Sequence, residues 1–311
     1  MSNHLDLAAH PGPRRVSHKG LFIAIASLLV FVLVYAIVVR EYQVEGNLTL
    51  TDQSSASESG FLVVANPVDF DARTDTLSVR FQFDVTDSDL LDDGNRLAQG
   101  IRVVIYGADG THEVKFPQGE PIGNAEIDIG VSGEVYSYPL DKYSGFVAVT
   151  AETFERGTGG VNETTGTVPV ALNVSGSISG WDLKASVVQD VDEPIAILDL
   201  QRAFSTRAFA VVLLTMAATV AVLALIAALM TVTNRRRFEV ALLTWNGAIL
   251  FSLPLLRNYL PGSPPIGAAM DIYVYLWIFV FAVISLVLML TAWSQQRKAD
   301  LMEERAKLGA G

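Results

Sequence analysis

The sequence predicts a membrane protein in two parts: four α-helical spans, and an all-β extracytoplasmic domain between the first and second of them, an antiparallel immunoglobulin-like β-sandwich. Three observations carry this. Half of the 311 residues are hydrophobic yet 18% are charged, with a mean hydropathy of +0.37, a balance that calls for two solvents. Uncharged apolar runs long enough to cross a bilayer recur along the chain. Between residues 40 and 207, short runs such as LSVRFQFDV instead alternate apolar and polar side chains, the period of a half-buried strand.

In chain order, residues 1–19 form a cytoplasmic tail carrying Arg14, Arg15 and Lys19. Gly20 to Val39 is uncharged and, at about 1.5 Å per residue, reaches about 30 Å. No small-residue cleavage site follows it, so it reads as an uncleaved anchor. Residues 40–207 hold 27 acidic and 11 basic residues, a net charge of −16, whereas the remainder of the chain is net +5. A surface of that sign repels phosphates, which argues against nucleic acid. The chain has no cysteine, so an exported domain must be held by its own core, as suits a bacterial envelope better than a eukaryotic ectodomain. About nine strands fit this region; IRVVIYGADGTHEVKF reads as a hairpin with Gly107, Asp109 and Gly110 at positive φ, and DQSSASES and RGTGGVNETTGT read as flexible connections.

Phe209–Val232 and Ile272–Trp293 are further uncharged spans. Val240–Leu256 is shorter and contains Asn246 and Pro254. Orientation settles it: Arg235–Arg237 and the Arg297, Lys298, Arg305, Lys307 group should both be cytoplasmic, so the chain between them crosses twice. The expected arrangement is a multi-pass plasma-membrane protein with both termini cytoplasmic, an Arg loop at 234–239, a stiff outer hairpin at 257–271 and a helical tail at 294–311.

Catalytic residues are not expected. His112 is the outer domain's one histidine, and a site needs several converging groups. No cofactor is implied. Asp87, Asp89, Asp92 and Asp93 are weak candidates for calcium, but they miss the EF-hand spacing, and a solvated acidic loop is the simpler reading. The spans contain no charged side chain, which weighs against transport by this chain alone. Asn246, Ala217 and Ala221 suit helix packing. In YPLDKY, Pro139 sets a turn, Asp141 caps local backbone, and Tyr138 and Tyr143 pack on either side. In the hairpin, Pro261, Pro264 and Pro265 restrict φ and remove donors. Arg257 and Asp271 stand at its two ends, placed either to pair or to border the membrane separately. An exposed pair there contributes about 0–1 kcal/mol, so the rigidity of the prolines should matter more.

YPLDKY at 138–143, STRAFAVVLL at 205–214 and RRRFEVALLTWNGAILFSLPLLRNYLPGSPPIGAAMDIYVYLW at 235–277 together resemble an actinobacterial, largely mycobacterial, family of four-span membrane proteins catalogued as a domain of unknown function. The similarity is most specific in the last hairpin. It implies an envelope location and no activity. From residues and resemblance together, the expected function is a non-enzymatic accessory or scaffold subunit of a cell-envelope complex that handles lipids or cell-wall polymers. Its surroundings are membrane lipids and an envelope protein partner. The alternative is a membrane sensor that binds a cation or other ligand.

Overall fold

The computed structural model describes residues 60–309 apart from Asp93, 157–161 and 189–192, together with Val32, Ala36, Val39 and Arg40. It divides into two units, Met1–Val44 and Glu45–Gly311. The four described residues of the first unit are helical. The crossing expected at 20–39 and the tail at 1–19 otherwise lie outside the described residues.

Among the described residues, the larger unit has eleven strands in two sheets, where the sequence suggested about nine. The four-stranded sheet has the order β5-β2-β1-β9, built from β1 (Phe61–Asp71), β2 (Thr76–Val85), β5 (Ala125–Gly130) and β9 (Val170–Val174). The seven-stranded sheet runs β10-β11-β7-β3-β4, from β3 (Gly100–Gly107), β4 (Gly110–Phe116), β7 (Lys142–Arg156), β10 (Trp181–Val188) and β11 (Ile195–Arg202). The short β6 (Ser132–Gly133) and β8 (Asn162–Val168) also pair with β7. Alternation does the work the sequence suggested: Leu77, Val79 and Phe81 point inward from β2, and Ile101, Val103 and Ile105 from β3, forming one core between the sheets.

Three readings need correction. The sandwich is not wholly antiparallel, because β1 pairs with β9 in parallel. The chain leaves the larger sheet after Val168, and β9 enters the other sheet after Pro169, whose carbonyl accepts the Phe61 N–H. A strand that switches sheets in this way arrives in whatever direction the crossing dictates. In the β3–β4 hairpin only Gly110 of the three turn residues has positive φ, at 141°. The supposed flexible stretch from Asn162 onward is strand β8, with Thr164 opposite Phe154.

Three apolar helices follow, each long enough to cross a membrane: α1 (Phe204–Val232), α2 (Val240–Asn258) and α3 (Leu276–Gly309). A π-helical turn, Asp271–Tyr275, leads into α3. The segment expected to end near Leu256 thus continues to Asn258 with Pro254 inside it, and the tail beyond Ser294 extends α3 without a break to Gly309. Ala217, Ala221 and Ala224 of α1 pack with Ile278 and Ala282 of α3, small side chains letting the helices approach closely. At mid-depth Ser285 donates to Asn246 Oδ1, while Asn246 Nδ2 donates to the Leu242 carbonyl at 3.1 Å. Buried amide and hydroxyl thereby satisfy each other where water is absent. At the end away from the sandwich, Gln296 Oε1 accepts the Phe238 N–H at 2.7 Å, tying the 234–239 loop to α3.

Candidate functional site

Strand passes into helix almost without a linker. β11 ends at Arg202 and α1 starts at Phe204, leaving Ala203 alone between them. The Ala203 N–H and the Thr206 hydroxyl both donate to the Gly180 carbonyl, at 3.0 and 3.1 Å, so the first turn of α1 is laced to the floor of the sandwich.

Arg202 occupies that floor. Its side chain is 2% exposed and that of Asp141 0%. Arg202 Nε donates to both carboxylate oxygens, at 2.7 and 3.0 Å, and the Tyr143 hydroxyl donates to Oδ2 at 3.1 Å. The guanidinium lies between two rings, its Cζ 4.6 Å from the centroid of Tyr138 and 4.6 Å from that of Trp181, which favours a cation in dry surroundings. Trp181 and Tyr143 in turn meet Phe70 edge-on, with centroids 4.6 and 4.8 Å away, closing the core above. Asp141 is therefore not the local backbone cap that the sequence suggested. Its partner lies 61 residues away, and a carboxylate walled in by aromatic rings takes the one buried guanidinium beside it.

Beneath the sandwich, the loop joining α2 to the π turn is held by three arginines. Arg257 donates to Asp271 through Nε at 3.1 Å and Nη2 at 2.7 Å, and Nη2 also reaches the Pro264 and Pro265 carbonyls at 3.3 and 2.9 Å. Asp271 Oδ2 further accepts the Gly267 N–H at 2.9 Å. Arg73 reaches down from the β1–β2 turn to the Ser263 carbonyl, its Nη2 at 2.7 Å. Arg202 packs on Gly262, whose φ is +72°; any Cβ there would collide with the guanidinium, so glycine is required both by conformation and by space. Around these polar ties Tyr138 packs with Ala210, Leu260, Ala268 and Met270.

The structure thus brings Arg257, Pro264, Pro265 and Asp271 together with Tyr138, Asp141 and Tyr143 around one joint. Pro261 begins the turn that presents Gly262, and Pro139 joins Tyr138 to the Asp141 segment. Asn246 lies apart, in the helix core. The acidic loop is also separate: Asp87 Oδ1 accepts the Asp89 N–H at 3.0 Å, and Asp92 Oδ1 accepts those of Gly94 and Arg96, both at 2.9 Å, while Asp93 lies outside the described residues. Among the described residues, no three His, Cys, Asp or Glu side chains converge as metal ligands would. Arg202, Trp181 and Arg73 escaped the sequence reading, as did the contact that Gly262 makes with Arg202. The available signal was a cation at the last position of an alternating strand, IAILDLQR, which lands on the inward face.

Burial pushes the Tyr138 phenol from 10.0 up to about 12, with Arg202 opposing and Asp141 adding to the rise. Tyr143 is raised too, by burial first and then by the charge and hydrogen bond of Asp141. Both phenols hold their protons more tightly folded than unfolded. The stability they confer is therefore complete below the ordinary tyrosine value and falls as pH rises through it toward the folded one. The Tyr138 hydroxyl has no hydrogen-bond partner among the described residues. Tyr138→Phe should leave the melting temperature near neutrality almost unchanged and soften the loss in alkali. Tyr143→Phe should cost about 1–2 kcal/mol, because it strips a donor from a buried carboxylate. Thermal melts of both variants at neutral and alkaline pH check this; equal losses for the two at neutral pH would contradict it.

The fold and joint define a class: a two-sheet β-domain fixed directly to a bundle of apolar helices. Comparison with protein families divides the chain at the same point. Residues 51–201 match the model of a domain of unknown function (DUF4436), and residues 202–296 match that of another domain of unknown function (DUF8686). No match is found among curated proteins.

Proposed function

We propose that this protein is a non-enzymatic accessory or scaffold subunit of an actinobacterial cell-envelope complex that handles lipids or cell-wall polymers. It crosses the plasma membrane four times with both termini cytoplasmic, and its sandwich and outer hairpin engage a protein partner. The supporting observation is an apolar patch on the outward face of the seven-stranded sheet. Phe146 stands directly opposite Ile197, and Val188 opposite Ile195, all four at least 37% exposed. A cluster of this kind on a sheet face marks a contact surface more often than an accident of composition. Farther along the same sheet the surface is charged, with Arg102 pairing with Glu113 and Glu152.

Ile197 and Ile195 lie five and seven residues above Arg202 on β11. At about 3.3 Å per residue the patch is held roughly 17–23 Å above the joint. A partner in the same membrane would meet it from the side, at a height that the arginine ties keep constant. Ile197→Asp combined with Phe146→Ser should leave melting and membrane insertion intact while abolishing co-purification of a partner crosslinked to the parent protein in native membranes. A parent that is monomeric under crosslinking, or a variant that retains the partner fully, would overturn the proposal.

A further inference from the structure

The turn from Glu134 to Asp141 has two sides. Its inward side chains are spent on the joint: Tyr138 and Asp141 are each 1% exposed. Its outward ones, Tyr136 and Leu140, are 60% and 67% exposed, two residues to either side of Tyr138. The turn is well tied, with the Ser137 N–H and hydroxyl both donating to Glu134 and the Leu140 N–H donating to the Ser137 carbonyl at 3.0 Å. Two large, mostly exposed side chains on so constrained a segment are held outward by their own backbone.

Depth follows from α1. Its 29 residues span about 43 Å, some 13 Å more than the hydrocarbon of a bilayer. Its far end is fixed by the polar 233–237 loop, and counting about 20 residues back from Val232 puts the outer hydrocarbon boundary near Leu213. Tyr138 packs in the cluster that contains Ala210, Leu213 and Leu214. The sandwich floor therefore reaches the boundary itself, and Tyr136 and Leu140 share its level. So do Tyr259, at the end of α2, and Tyr273, in the π turn, each 76% exposed. Tyrosines concentrated at one level of a helix bundle suit the headgroup layer, where a ring meets apolar chains and its hydroxyl meets water.

We infer that the 134–141 turn is inserted into the outer headgroup layer of the bilayer, with Tyr136 and Leu140 as its lipid-contacting side chains, so that the β-domain binds the membrane surface directly as well as through its helices. This contact continues the apolar seam made by Tyr138. It rests on the reading that the helices span a membrane, and the test separates the two.

The full chain, which has no native cysteine, takes single nitroxide labels at Leu140, at Val222 in mid-α1 and at Glu120 at the far end of the sandwich, in phosphatidylcholine–phosphatidylglycerol vesicles. Accessibility to a water-soluble nickel chelate should be several-fold lower at Leu140 than at Glu120, and oxygen accessibility intermediate between Glu120 and Val222. In parallel, Leu140→Trp should emit to the blue of Glu120→Trp and be quenched by lipids brominated high on their chains. If Leu140 is as open to the chelate as Glu120 and its tryptophan is unquenched, while Val222 is shielded, the insertion is refuted and the spans stand. If Val222 is open as well, the membrane reading itself fails.

Discussion

Replacing Arg202 by methionine should lower the stability of the full-length protein in detergent by about 3–5 kcal/mol, among the largest losses any single substitution here can produce. The cost comes less from the bonds removed than from what remains: Asp141, with no exposed surface, is left among aromatic rings without its counter-ion and with only the Tyr143 hydroxyl to satisfy it. Asp141→Leu should cost a similar amount by stranding the guanidinium. The double replacement should recover most of the loss, because an apolar pair of similar volume needs no desolvation. A thermal-melt double-mutant cycle measures all three. Strictly additive losses would show that Asp141 and Arg202 act separately, contrary to the geometry.

The second large effect reverses what the sequence alone suggests for the hairpin. An arginine and an acid bordering a membrane read as an exposed pair contributing about 0–1 kcal/mol, with the prolines mattering more. In the structure the Arg257 and Asp271 side chains are only 13% and 14% exposed, and the same guanidinium also holds two loop carbonyls. Arg257→Ala should thus cost about 2–4 kcal/mol, and lysine should rescue little, since a point charge cannot make the forked contact. The Pro264→Ala, Pro265→Ala double variant retains both carbonyls and loses only chain stiffness, about 1 kcal/mol or less. Melting in mild detergent ranks the three; a proline variant less stable than Arg257→Ala would mean that stiffness, not the arginine, holds the loop.

What the sequence reveals here is whatever has a local period. Long apolar runs name the three helices from Phe204 onward, and alternation names the strands from Phe61 to Arg202, because both patterns reflect neighbours a few positions apart. Arg257 and Asp271 are legible for the same reason: both flank one short loop. The joint is not legible in this way. Asp141 and Arg202 meet across 61 residues because β11 lies beside β7, and Arg73 finds Ser263 across 190. Without the fold, an aspartate after proline and leucine looks like an ordinary turn cap. The parallel β1–β9 pair was hidden likewise, since nothing in VALNV states which sheet it joins.

That the two family matches meet between residues 201 and 202 bears on how this chain can be divided. The seam separates a carboxylate from its counter-ion: Asp141 falls on one side and Arg202 on the other. A soluble fragment cut there would carry a bare acid in its floor and turn the Tyr138 face outward. A chimera that joins the β-domain of one relative to the helices of another would inherit a matched joint only if both parents use the same pair. The sensible place to cut lies two residues further on, after Ala203, and even then Gly262 and Ser263 stay behind with the helices, leaving Arg202 and Arg73 to face water in place of the loop that they grip.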